Sequence, residues 1–224
     1  MLRDITAVVF DVLGTLVDEP RGLRSAITEA AGTAADSEEL LGIWQGHVER
    51  EQQRIADGSR DYADTDILDR EAAVRVAEAA GVDDPAIIAR MATAAQRLPA
   101  WRDSVDGVAR LARRFPVLGL SNATAETLRS LGAHAGLPWD LALSADAVRA
   151  YKPAPEVYGL AVEAAGGDPS RVLMVAAHAW DLRGAQVVGM RTAYVRRPVG
   201  DAPAPADAFD GRFASLRELD DALV

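Results

Sequence analysis

Ile5-Thr6-Ala7-Val8-Val9-Phe10-Asp11-Val12-Leu13-Gly14-Thr15-Leu16 opens the chain with an apolar run that stops on a carboxylate and then turns at a glycine. A short run of this kind, apolar on both faces, reads as a buried parallel strand spanning about 5–10. Similar runs recur at 116–120, 172–176 and 192–195, with a shorter one at 141–144. Between them lie helical spacings at about 103–114, 123–135, 155–166 and 181–189, and Gly166-Gly167 and Gly189 stand where helices should stop. Strands alternating with helices predict an α/β fold with a doubly wound parallel sheet.

Residues 18–100 carry no strand pattern. Helical spacing at about 21–32, 37–57, 64–81 and 85–97 predicts an all-helical insert after the first strand. Asp36-Ser37 and Asp83-Asp84-Pro85 read as helix starts, and Gly32, Gly58 and Gly81 as breaks. The expected division is therefore a core of 1–17 and 101–224 and a helical segment of 18–100. Residues 197–208, rich in Pro, Ala and Asp, read as an irregular loop before a short helix near 215–223.

The 224 residues carry a net charge of −10, which disfavours a nucleic-acid partner. No apolar run approaches the ~20 residues of a membrane helix, and Met1 to Ile5 leads straight into the first strand, so neither a membrane span nor a leader is expected. There is no cysteine, which excludes disulfides, thiolate metal ligands and a Cys nucleophile and makes the cytoplasm the default setting. Alanine makes up about a fifth of the chain, and of the 24 basic residues only Lys152 is a lysine. A lysine kept in so arginine-biased a chain fits a place that needs a compact ammonium, with chance survival as the plain alternative.

Ligands of open parallel sheets bind beyond the carboxyl ends of the strands. There the sequence places Asp11, then Ser121-Asn122, then the Lys152-Pro153 segment, then Ala177-His178-Ala179-Trp180-Asp181. Taken singly, each has an ordinary explanation. Asp11 could serve a turn, Ser121 or Asn122 could cap the helix from 123, and Asp181 could cap the next one. His178, Trp180 and Tyr158 could be packing residues. Their common placement at one sheet edge favours chemistry.

In that order the four segments resemble the motifs of the haloacid dehalogenase superfamily, and the insert resembles its helical cap over a Rossmann-like core. Many members of that superfamily are Mg²⁺-dependent phosphatases with an acidic residue two positions after the nucleophile and a carboxylate four before the last aspartate. Here those positions are Leu13 and Ala177. Loss of the acid and of one hard oxygen ligand points instead to the metal-independent L-2-haloacid dehalogenase branch, which Tyr158 and Trp180 also resemble. The resemblance implies attack by Asp11 on the halogen-bearing carbon of a short 2-haloacid. Lys152 keeps Asp11 ionised, Asp181 orients Lys152 and helps activate water, and Thr15 and Ser121 hold Asp11 and the substrate carboxylate. Val12, Leu13, Asn122, Gln45, Tyr158, His178 and Trp180 are the implied substrate and halide contacts. No metal or cofactor is implied, and a homodimer is. A phosphatase and a non-catalytic acid-binding homologue are the competing readings.

Three positions depart from the branch. Trp44 is followed by Gln45 where an arginine receives the halide, and Arg50 and Arg54 are the nearest substitutes on the same helix. A Ser-x-Asn segment is replaced by Ala176-Ala177-His178. Val48 stands where an aromatic is common.

Overall fold

The computed structural model describes residue 2 and residues 4–33 and 35–223. Met1 and Arg3, part of the expected lead into the first strand, and Val224 at the core's end lie outside the described residues. Among the described residues six parallel strands form one sheet: β1 (Ala7–Asp11), β2 (Val117–Ser121), β3 (Leu141–Ser144), β4 (Val172–Ala176), β5 (Arg191–Val195) and β6 (Gly211–Phe213), in the order β3-β2-β1-β4-β5-β6. The last was not foreseen: the sequence reading ended its strands at 195. Three residues on the sheet edge, half-exposed and containing Gly211, give too little pattern to recognise.

β1 is buried along its whole length and pairs on both sides, Val8 with Val117 and Leu173. Its side chains alternate between the two faces. Val8 and Phe10 enter one core with Leu111, Leu128, Leu131 and Leu216. Ala7 and Val9 enter the other with Val157, Tyr158, Ala161 and Leu182. The helices that supply these residues are α5 (Ser104–Leu111), α6 (Ala125–Ala135), α7 (Pro155–Ala164), α8 (Ala179–Val187) and α9 (Leu216–Ala222).

Between β1 and β2 come α1 (Glu19–Ala31), α2 (Ser37–Ala56), α3 (Thr65–Ala80), α4 (Pro85–Ala92) and a short 3₁₀ turn, Ala94–Arg97. Asp36, Asp64 and Asp84 accept from backbone N–H groups at the starts of α2, α3 and α4, and Gly81 closes α3 in the left-handed region. The helical block is anchored to the sheet's carboxyl edge by polar contacts. Asp66 of α3 accepts from Thr124 Oγ1 at 3.1 Å and Thr127 Oγ1 at 2.9 Å, and Tyr151 Oη donates to the Ala63 carbonyl at 2.7 Å. Among the described residues no helix is long and apolar enough to cross a membrane.

The strand order reverses between β1 and β4, each of which continues to its own side of the sheet. That is the place where an open parallel sheet leaves a crevice at its carboxyl edge, and Asp11 is the last residue of β1.

Candidate active site

Asp11 is nearly buried, and both carboxylate oxygens are bound. Oδ2 accepts from Thr15 Oγ1 at 2.7 Å and Oδ1 from Lys152 Nζ at 2.9 Å. Lys152 also donates to Asp181 Oδ2 at 2.8 Å, and Tyr158 Oη donates to Asp181 Oδ1 at 2.6 Å. The ammonium thus lies between two carboxylates, with its side chain 2% exposed and that of Asp181 fully buried. Burial works against the ammonium, but Asp11 and Asp181 outweigh it and hold Lys152 above the ordinary lysine range. Burial pushes the Asp181 carboxyl up; Lys152 works against that rise, Asp11 adds to it, and Tyr158 opposes it. Burial and Asp181 likewise keep the Tyr158 hydroxyl protonated, so it remains a donor.

The loop after Asp11 is fixed from several sides. Thr15 Oγ1 accepts from the Ala177 N–H at 2.9 Å, tying the first loop to the one after β4. Trp101 Nε1 donates to the Gly14 carbonyl at 3.0 Å, and Arg197 Nε to the Thr15 carbonyl at 2.9 Å. Gly14 has φ +78°, and a Cβ there would come within 2.6 Å of His178 Nε2. Only glycine meets both demands.

A cleft of about 640 Å³ opens over Asp11 and Lys152. The core side contributes Leu13, Ser121, Asn122, His178 and Trp180. The helical block contributes Trp44, Gln45, Val48, Glu19 and Asp69. Ser121 Oγ accepts from the Ala123 N–H at 3.2 Å, and Asn122 Oδ1 accepts from the Lys152 N–H at 2.9 Å. The Asn122 carbonyl oxygen is therefore turned toward the lysine segment. Trp180 is 38% exposed, and its ring packs 5.9 Å from that of His178.

Two expected placements change, and two of the ordinary alternatives fall away. Val12 is fully buried in the core and does not line the cleft, so only its backbone can face a ligand. Tyr158 is also fully buried and away from the cleft; it holds Asp181 from behind instead of touching substrate. Thr124, not Ser121 or Asn122, caps α6, accepting from the Thr127 N–H at 3.1 Å. Asp181 lies inside the first turn of α8 and spends its oxygens on Lys152 and Tyr158, not on capping. Neither proposed arginine substitute reaches the cleft. Arg54 pairs with Glu51 at 3.0 Å, and Arg50 lines an outer groove with Glu39 and Arg75. Among the described residues no arginine lines the cleft.

Sequence reasoning missed Glu19 and Asp69. Glu19 carries a carboxyl that burial pushes up to about 7, with His178 opposing and Asp11 adding to the rise. Asp69, which accepts from Trp44, is held well above the usual carboxylate range by burial and then by Glu19 and Asp66. Asp18-Glu19-Pro20 reads as an ordinary helix start, and nothing local in it marks the carboxyl as facing a cleft.

The donor set does not fit a divalent cation. Ala177 offers a methyl where an oxygen ligand would be needed, and the Lys152 ammonium fills the space between the two remaining carboxylates. Among the described residues no group of three or more His, Asp or Glu is arranged to hold a metal.

A family model of haloacid dehalogenase-like hydrolases matches residues 5–189. The chain is 34% identical over 218 residues to an (S)-2-haloacid dehalogenase of Xanthobacter autotrophicus, covering 95% of this chain and 83% of that one. It is 33% identical over 198 residues to (S)-2-haloacid dehalogenase 1 of Pseudomonas sp. strain CBS-3, covering 86% and 85%. Among solved structures, the L-2-haloacid dehalogenase PA0810 superposes with a TM-score of 0.89 at 30% identity, over 98% of this chain and all of that one. The Xanthobacter autotrophicus L-2-haloacid dehalogenase with chloropropionic acid covalently bound gives 0.84 at 29% identity over 97% of each chain.

Proposed function

Because the chain belongs to the haloacid dehalogenase-like hydrolases, we propose that it hydrolyses the carbon–halogen bond of short (S)-2-haloacids to 2-hydroxy acids through an ester on Asp11. The observation that carries this reading is the Lys152 ammonium bridging Asp11 and Asp181 at the floor of the cleft. A cation at 2.9 Å favours the ionised form of a carboxylate, and an ionised carboxylate is the nucleophile this reaction needs.

In the first step an Asp11 oxygen attacks the halogen-bearing carbon from the side opposite the halogen. The C–O bond forms as the C–X electron pair leaves with halide, with inversion at carbon. A halide needs no proton to depart, so Leu13 in place of an acid costs this reaction nothing. In the second step water adds to the Asp11 ester carbonyl and releases the hydroxy acid, regenerating the carboxylate and freeing one proton. In this reading Asp181, held by Tyr158 and Lys152, has the task of orienting that water. The N–H groups after Asp11, with Ser121, are the donors available for the substrate carboxylate. The helices of 18–100 act as a cap, closing the cleft so that these interactions work outside bulk water. Action in the cytoplasm as a homodimer belongs to the same reading.

The test is halide release from L-2-chloropropionate with and without a metal chelator. Chloride and lactate formed in equal amounts, unaffected by the chelator, are expected. Phosphate release from small phosphate esters that needs added Mg²⁺, with no chloride from any 2-chloroacid, would overturn the proposal.

A further inference from the structure

The departing halide needs a partner, and the cleft's permanent cation is already committed. Lys152 is shared by Asp11 and Asp181, Gln45 offers a neutral amide, and among the described residues no arginine lines the cleft. Beyond the neutral donors of Ser121, Asn122 and Trp180, the cleft also holds the carboxyl of Glu19, at the first turn of α1. It lines the cleft with Asp11 and makes neither hydrogen bond nor ion pair among the described residues. Resting on the dehalogenase reading, we propose that Glu19, as the neutral acid, donates its O–H to the halide as it leaves Asp11-bound carbon and so selects for the harder halides.

Charges around Glu19 keep it in that form. Asp11 faces it from β1 and Asp69 from α3, Glu49 lines the same cleft from α2, and His178 approaches from the loop after β4. Burial raises the Glu19 carboxyl to about 7, and the neighbouring Asp11 carboxylate adds to the rise. A carboxylic acid makes a short, strong O–H bond to an anion, stronger than an amide N–H makes. The bond is worth most where charge is most concentrated, on fluoride and chloride, and least on iodide. Glu19 keeps its proton throughout. The C–X pair leaves with the halogen, the anion departs from the O–H, and the proton released in ester hydrolysis goes to solvent.

Ionisation sets the sign of the pH effect. The donor is present below about 7 and is lost as pH rises through that value, when Glu19 also begins to repel the substrate carboxylate. Single-turnover release of chloride and of iodide from matched 2-halopropionates, measured from acid to alkaline pH, tests this in the whole protein. In the unaltered chain chloride release falls above about pH 7. Glu19→Gln, a donor that cannot ionise, loses the alkaline fall. Glu19→Ala lowers chloride release by about 100-fold, as loss of a donor to developing charge does, and lowers iodide release much less. A structural role would lower both halides alike. Equal losses for the two halides, or an alkaline fall that survives in Glu19→Gln, overturns the proposal while leaving the dehalogenase reading intact. Absence of halide release from every 2-haloacid in the unaltered chain overturns that reading, and the role of Glu19 with it.

Discussion

Replacing Lys152 by methionine removes the ammonium and leaves two carboxylates facing each other. Both oxygens lie within 2.9 Å of one nitrogen, so they are at most about 6 Å apart. At an effective dielectric near 20, two unit charges at that distance repel by about 3 kcal/mol. That is about 2 in pKa for the first proton the pair takes up. Burial, which already pushes Asp181 up, acts in the same direction. The variant should therefore hold one proton between Asp11 and Asp181 at neutral pH, and a protonated Asp11 cannot attack. The repulsion and the burial together keep Asp11 protonated through neutral pH, and ester formation falls with the fraction left ionised, by about tenfold or more. Halide release at neutral pH, with folding checked by circular dichroism, measures the drop. The rate should recover as pH rises and the shared proton is lost. Lys152→Arg should fail as well despite keeping the charge, because a guanidinium does not fit the closed space a compact ammonium fills. A Lys152→Met rate within tenfold of the unaltered chain, flat across pH, would refute the reasoning.

Further substitutions separate the nucleophile from its supports. Asp11→Asn should abolish halide release with no loss of fold, read by turnover and thermal melting together. Thr15→Ala strips a bond from Asp11 and another from the Ala177 N–H; two buried groups left unpaired should cost about 1–3 kcal/mol each in chemical denaturation. Tyr158→Phe leaves buried Asp181 Oδ1 unpaired, at a similar cost of about 1–3 kcal/mol, and should slow hydrolysis of the ester more than its formation in rapid-quench experiments. Gly184→Ala, whose new methyl would overlap the Tyr158 hydroxyl, should reproduce that pattern. Asp66→Ala releases the bonds from Thr124 and Thr127 that join α3 to α6; a higher KM with kcat nearly unchanged is the expected signature of looser closure.

The order of strands and helices was legible because the buried strands are short apolar runs, two of them ended by a polar residue at Phe10-Asp11 and Leu120-Ser121. The insert was legible because its helices carry aspartate starts and glycine stops. β6 was not, since three half-exposed residues at an edge carry no alternation. Within the site, Asp11, Lys152 and Asp181 could be placed because strand ends converge on one sheet edge. Tyr158 shows the limit of that logic. Its position six residues after Lys152 brings it near Asp181, but whether it faces the cleft or the core depends on how α7 packs. Glu19 marks the same limit from the other side. A charged residue at a helix start has an ordinary local purpose, and its facing Asp11 is set by how α1 lies over the sheet.

The account rests on covalent attack by Asp11, and heavy-oxygen water tests it directly. After many turnovers in labelled water, mass spectrometry of the peptide containing Asp11 should find the label in its carboxylate, and in a single turnover the hydroxy acid should form without label. Label in the hydroxyl group during that first turnover, with Asp11 unlabelled, would mean that water attacks carbon directly and would contradict the account.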